Sequence, residues 1–148
     1  MRVSAKADYA IRATAELAAS PPGCLVKAER ISAAQAIPLK FLLNILTELR
    51  HAAIVRSQRG SEGGYRLARP PEEITVADVI LTVEGTLSTV QGSRPHDLEY
   101  VGAAEPLRDV WMAVQASLES VLRAVTLADL AGGRLPQVVR ALADGREG

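Results

Sequence analysis

The sequence predicts a mainly α-helical chain of the α+β class, interrupted once by a small β-hairpin, and three observations predict it. After Pro38 the apolar residues Leu42, Ile45, Leu46 and Leu49 recur at helical spacing, while Lys40, Asn44, Thr47 and Glu48 fall elsewhere. The period then changes. Ile54-Val55-Arg56-Ser57 and Tyr65-Arg66-Leu67 read as two short strands joined by a loop holding Gly60, Gly63 and Gly64. Every other patterned stretch has helical spacing, the longest running from Leu107 to Val125.

Taken in order, Ser4 to Ala19 reads as the first helix, with Ala7, Ala10, Ile11, Leu17 and Ala18 on its buried face. Thr14 shares that face, where its hydroxyl can bond a carbonyl one turn back. Lys6 and Arg12 lie off it. Ser20-Pro21-Pro22-Gly23 stops the helix. Cys24 follows, expected as a small packed residue rather than a sensor, and the Leu25-Val26 step is placed to pair with the hairpin. Val26 to Ala36 then has helical spacing at Ala28, Ile31 and Ala34. A short Gln35-Ala36-Ile37 break leads to Pro38, which suits a first helical position because its missing N–H costs nothing there. Ile37 before it is pushed out of the α region.

Two short helices joined by a turn of about three or four residues have helix-turn-helix spacing, in which the second helix enters the major groove of DNA. The hairpin that follows carries Arg56, Arg59, Arg66 and Arg69, as a basic wing would. Pro70-Pro71 ends it. Thr75 and Asp78 form a capping-box pattern at the head of Val76 to Glu84, whose buried face is Val76, Val79, Ile80 and Val83, with Gly85 at the C′ position. Ser88 to Pro106 reads as a long loop, a feature often functional or mobile in small domains.

Leu107, Trp111 (or Val110), Val114, Leu118, Val121 and Val125 alternate steps of three and four residues, the spacing of a coiled-coil-like seam. A seam this long in a chain this small faces more than its own domain, so it is assigned to homodimerisation. Thr126 and Asp129 repeat the capping box before a short Leu127–Ala131 turn, Gly132-Gly133 breaks it, and Pro136 to Ala143 forms a last short helix. The expected organisation is a winged helix-turn-helix domain over 1–85, a loop over 86–106, and a dimerisation helix with short terminal helices over 107–148.

Charge sharpens the functional reading. The 148 residues have a formal net charge of zero, but the two halves differ. Residues 1–70 hold eleven basic and five acidic residues, a net of +6; the remainder holds six arginines and twelve acids, a net of −6. A basic binding surface on an acidic body is the pattern of a nucleic-acid partner. A rival reading is a winged-helix protein-docking module. It expects a neutral or apolar second helix and wing; Leu39 and Leu43 fit it, whereas the basic first half does not.

Catalysis is not expected. It would have to draw on Cys24, His51 and His96 from three separate segments, and no nucleophile motif is present. The glycines at 60, 63 and 64 lead into a strand rather than a helix, which rejects a dinucleotide fingerprint. The single cysteine excludes an internal disulfide and an all-cysteine metal site within one chain. No apolar run approaches the roughly 18 residues of a membrane span, and the N-terminus lacks a signal-peptide core. A cytoplasmic protein with no membrane partner is therefore expected. Its 48% hydrophobic content suffices for a core, with 3% aromatics leaving the packing to Ala, Leu and Val.

Several segments together resemble one family: Ser4 to Arg12 (SAKADYAIR), the Ile37-Pro38 helix start with Phe41-Leu42 and Ile45-Leu46, Gly60 to Pro70 (GSEGGYRLARP), Ile74 to Val79 and Val83-Glu84-Gly85. It is the Rrf-two family of bacterial winged-helix transcriptional regulators, and the match runs from residue 2 to about 85, with weaker similarity along the long helix and over 126–130. The glycine-glycine-tyrosine wing is the specific part.

The resemblance implies a homodimer that binds a roughly palindromic operator in double-stranded DNA, usually as a repressor. It implies phosphate contacts for Ser4, Lys6 and Tyr9, a recognition-helix tip at Pro38, Leu39 and Lys40, and a minor-groove wing of Arg56, Ser57, Arg59 and Gly60 with Gly63 and Gly64. Lys27 joins these as a DNA-binding candidate. The chemistry agrees: Lys and Arg neutralise phosphates, loop amides bind them, and arginine suits a narrow minor groove. Leu39 could contact only apolar edges such as a thymine methyl.

One departure is large. Cluster-bearing members place three cysteines between the wing-side domain and the dimerisation helix, whereas Ser88 to Pro106 contains none. Thiolates are the ligands an iron–sulfur cluster needs, so no cofactor is expected. His96, Asp97 and Glu99 are expected to be solvated rather than to bind a metal. What remains is a small-molecule effector at the junction of this loop, the Val76–Glu84 helix and the long helix, or a partner protein, or no sensing beyond DNA binding.

Overall fold

A computed structural model describes residues 3–145. Helix α1 (Ala5–Ala19) starts at Ser4, whose side chain accepts from the Ala7 N–H and so caps the first turn. Its buried face is Ala7, Ala10, Ala13, Thr14 and Leu17, while the expected Ile11 and Ala18 are only half-buried at the edges of that stripe. Three alanines let neighbouring helices approach closely. Thr14, fully buried, donates its hydroxyl to the Ala10 carbonyl at 2.9 Å, so no polar group is stranded there.

Helix α2 (Ala28–Gln35) rests on the core through Ala28 and Ile31. Ala34, expected on that face, is exposed. Ala36 adopts the left-handed conformation (φ 51°) that turns the chain into α3 (Leu39–His51). Pro38 therefore stands one residue before the first helical position assigned to it, with its carbonyl accepting from the Leu42 N–H at 3.0 Å. Arg12 braces the turn. Its guanidinium donates to the Gln35 carbonyl at 2.6 Å, pairs with Asp8 at 3.0 Å and lies 4.9 Å from the centre of the Tyr9 ring. Leu42, Ile45, Leu46 and Leu49 of α3 are all buried, as their spacing requires.

The hairpin pairs β1 (Val55–Gln58) with β2 (Gly64–Leu67), placing Arg56 opposite Arg66 and Gln58 opposite Gly64. Val26 bridges to Tyr65 through two backbone hydrogen bonds of 2.8 Å, so the Leu25-Val26 step does join the wing. Gly63 and Gly64 have steric reasons to be glycine. A Cβ on Gly63 would stand 2.1 Å from the Gln58 carbonyl oxygen, and one on Gly64 would stand 2.8 Å from that of Val26. Cys24 is exposed on the turn after α1, not packed as expected, because the prolines before it hold that turn at the surface.

Helix α4 (Val76–Glu84) has both halves of the Thr75/Asp78 capping box and ends at Gly85 with φ 75°. The following loop is not free chain. Pro95–Asp97 and Gly102–Ala104 form short 3₁₀ turns, Pro95 is buried, Arg108 donates to the His96 carbonyl at 2.9 Å, and the Trp111 indole N–H donates to the Tyr100 hydroxyl at 3.0 Å. The loop is folded down onto α5 (Leu107–Ala124).

Val125, expected on the seam of the long helix, lies outside that helix and inside the core. Its backbone is extended, its side chain is buried, and its carbonyl accepts from the Val76 N–H at 2.9 Å; next to it the Leu127 N–H donates to the Ile74 carbonyl at 2.8 Å. This clasp returns the chain to the body. Helix α6 (Leu127–Gly132), with its Thr126/Asp129 capping box, then packs on α1 and buries Leu127 completely. The body around the helix-turn-helix thus includes residues 125–132 as well as 3–85. Helix α7 (Gln137–Ala143) ends the described chain and lies against α5.

Candidate nucleic-acid interface

Helix α3 turns its leucine-isoleucine stripe inward, which leaves Lys40, Asn44, Thr47 and His51 on the opposite, exposed side, flanked by Leu39, Leu43 and Arg50. Pro38, Leu39 and Lys40 form the exposed tip of this helix. Asn44, Thr47, Arg50 and His51 were not among the sequence candidates. For Asn44, Thr47 and His51 the only signal is position opposite the apolar stripe, which every solvated helix face shares. Chemically they widen what the helix can read, since an asparagine amide matches the major-groove edge of adenine.

A groove of about 330 Å³ separates α3 from the wing, with Lys27, Leu43, Arg50, Ser57, Arg59 and Tyr65 among its lining residues. Arg59 and Gly60 sit at the exposed hairpin tip. Lys27 Nζ donates to the Gly63 carbonyl at 3.3 Å, tying the start of α2 to the wing. Gly63 is buried and Gly64 half-buried, so their place in the wing is to let its backbone fold tightly.

The electrostatics of this surface are unbalanced. Arg56 faces Arg66 directly across the ladder, an arrangement that repels unless an anion lies against it. Both are exposed, as are Lys40, Arg50, Arg59 and Arg69, and none of these six takes part in an ion pair among the described residues. A second concavity, about 530 Å³, runs along the base of the wing between Arg50, Arg56 and Arg69.

The candidates on α1 are engaged differently. Lys6 is exposed but pairs with Glu48 of α3 at 2.9 Å. Tyr9 is half-buried beneath Arg12. Ser4, besides capping α1, donates its hydroxyl to the Glu84 carboxylate of α4. The structure therefore gathers Lys27, Pro38, Leu39, Lys40, Arg56, Ser57, Arg59 and Gly60 around α3 and the wing, while Ser4 turns toward α4.

The proposed seam divides in two. On α5, Leu107, Trp111, Leu118 and Val121 are half-buried, whereas Val114 is exposed together with Val110 and Met112. None of the 18 residues of α5 is fully buried. Among the described residues no group of three or more His, Cys, Asp or Glu side chains could hold a metal, and no helix is long and apolar enough to cross a membrane.

The chain is similar to known proteins over most of its length. The family model described as Rrf2, iron-dependent transcriptional regulator, matches residues 3–133. A Mycobacterium tuberculosis protein named for HTH-type transcriptional regulation is 52% identical over 144 residues, covering 97% of this chain and 89% of that protein. The HTH-type transcriptional regulator CymR of Bacillus subtilis is 31% identical over 132 residues, covering 88% and 90%. The solved structure of CymR, the global cysteine regulator of B. subtilis, superposes with a TM-score of 0.77 at 30% identity over 90% of this chain and 98% of that one. IscR of T. potens superposes with a TM-score of 0.72 at 29% identity over 100% and 93%.

Proposed function

This chain belongs to the Rrf2 family of transcriptional regulators, and on that premise we propose that it is a homodimeric, cytoplasmic repressor of a roughly palindromic operator. In this reading α3 enters the major groove, and the wing from 54 to 69 reaches the adjacent minor groove with Arg59 leading. The observation that carries the proposal is the set of six exposed cations on α3 and the wing that have no ion-pair partner among the described residues, two of them facing each other across the ladder. A phosphate backbone is the partner that relieves such repulsion. The exposed Leu39 and Leu43 are consistent with contact to thymine methyl groups rather than with a purely polar readout.

Dimerisation rests on α5. An amphipathic helix of 18 residues with no buried side chain, and with Val110, Met112 and Val114 exposed, lacks the cover its apolar face requires. A second copy supplies that cover in a two-fold arrangement, the usual symmetry of soluble dimers. Two-fold symmetry in turn suits an operator of two half-sites about 34–36 Å apart.

The residues do not fit an iron–sulfur cluster. The one cysteine, Cys24, lies on the turn between α1 and α2, and the loop before α5 offers His96, Asp97 and Glu99 but no thiolate. His96 Nε2 stands 3.1 Å from its neighbour Asp97, and both are exposed. We therefore propose a regulator that works without a cluster. Purified protein incubated with sheared genomic DNA, followed by sequencing of the retained fragments, tests the whole reading. Enrichment of promoter fragments sharing an inverted repeat is expected; retention of no specific fragment would favour a protein-docking module instead.

A further inference from the structure

A cavity of about 280 Å³ opens where α1, α4, the following loop and α5 meet. At roughly 30 Å³ per water it has room for about nine, enough for a small organic molecule. Its walls are of two kinds. Ala7, Ile80, Leu87 and Leu122 supply hydrocarbon, and the Glu84 carboxylate with Ser4, Thr86 and Ser88 supplies oxygen atoms. Among the described residues Glu84 is the only charged residue in the lining. A lone carboxylate in such a lining favours a cation over an anion, which it would repel.

Position adds a second argument. Glu84 holds the Ser4 hydroxyl, and Ser4 caps the helix whose start is a candidate phosphate contact. Leu122 lies on α5, three residues before the Val125–Val76 clasp. One molecule here would touch the first helix of the DNA-binding body and the dimer helix together. An ammonium group binding Glu84 competes with the neutral Ser4 hydroxyl and makes the stronger, charge-assisted bond.

We propose that this cavity binds a small aliphatic ammonium compound, with its cation on Glu84 and its hydrocarbon body against Ala7, Ile80, Leu87 and Leu122, and that occupancy changes operator affinity. The second half rests on the DNA-binding reading above; the first does not. Any change in operator affinity equals the ligand's preference for one arrangement of the dimer over the other.

The test titrates isopentylamine, a cation at neutral pH, into the full-length protein without DNA and follows heat release. Isopentanol and isovalerate serve as the neutral and anionic counterparts. Saturable binding of the amine is expected, with the alcohol weaker by about tenfold and the acid not bound. Glu84→Gln should remove the preference for the amine, and Leu87→Trp, which fills the cavity, should remove binding of both. Absence of amine binding at millimolar concentration, equal binding of the alcohol, or unchanged amine affinity in Glu84→Gln would each overturn the site. Operator affinity with and without saturating amine is then compared. A change present in the wild type and lost in Glu84→Gln supports the regulatory half; an unchanged affinity overturns it. If no operator exists, the calorimetry still decides the site.

Discussion

Replacing Gly63 with alanine tests whether the wing is the rigid, tightly folded element that the groove-binding role demands. The added Cβ would lie 2.1 Å from the Gln58 carbonyl oxygen and 2.8 Å from the Arg59 carbonyl carbon, whereas real Cβ contacts essentially never fall below 3.0 Å. Backbone must therefore move by about 0.9 Å. The obstacle is main chain, so no rotamer change relieves it. The movement strains the hydrogen bond from the Gly63 N–H to the Gly60 carbonyl, 3.0 Å long, and the Gln58–Gly64 pair that closes the ladder. Overpacking of about 1–3 kcal/mol and the loss of about one hydrogen bond of 0.5–1.5 kcal/mol suggest a total near 2–3 kcal/mol. A domain of this size can absorb that and stay folded. In urea the midpoint should fall by about 1–2 M with an unchanged slope, and operator affinity should drop about five- to 150-fold as the wing tip moves. Ser61→Ala, at the same exposed tip without a steric conflict, is the control and should match the wild type in both assays. Gly63→Ala with stability within about 0.5 kcal/mol of the wild type and unchanged DNA binding would refute the reasoning about the wing.

Two further substitutions separate the parts of the proposed mechanism. Arg59→Ala should leave stability unchanged, because the side chain is exposed and in no ion pair among the described residues, and should weaken operator binding by about 1–3 kcal/mol in fluorescence anisotropy. A smaller dependence of affinity on salt concentration should accompany it, and equal affinities would remove the wing tip from recognition. Val114→Glu places a charge on the exposed apolar side of α5 without disturbing the subunit's own core. Sedimentation should show monomers that bind the operator weakly, and a variant that remains dimeric would exclude this face as the interface.

Local signals carried most of the fold. The change from a period of 3.6 to one of 2 at Ile54 located the wing, and the Thr75/Asp78 and Thr126/Asp129 pairs located two helix starts because a capping box is complete within four residues. What escaped was non-local. Val125 continues the apolar spacing of α5 perfectly well, and only its hydrogen bond to Val76, a residue 49 positions earlier, takes it out of the helix and into the core. Helix α6 likewise looks like a terminal appendage until it is seen lying on α1. At the interface, Arg59 and Lys40 stood out by charge. Asn44, Thr47 and His51 did not, because a polar residue opposite an apolar stripe looks the same whether water or a base pair faces it. The Ser4–Glu84 contact spans 80 residues and had no trace in the pattern.

The packing of α6 on α1 has a consequence for how the protein is made. Helix α1 leaves the ribosome well before Leu127, the fully buried residue of the helix that covers it. At about 5–20 residues per second the intervening chain takes roughly 5–20 s to appear. Throughout that interval the alanine and leucine stripe of α1 lacks part of its cover, so a nascent chain stalled before residue 127 displays sticky surface that the finished protein never shows. Completion of the DNA-binding body is thereby deferred until residue 127 has emerged, and translation arrest before that point leaves a product for chaperones or proteases rather than a working regulator.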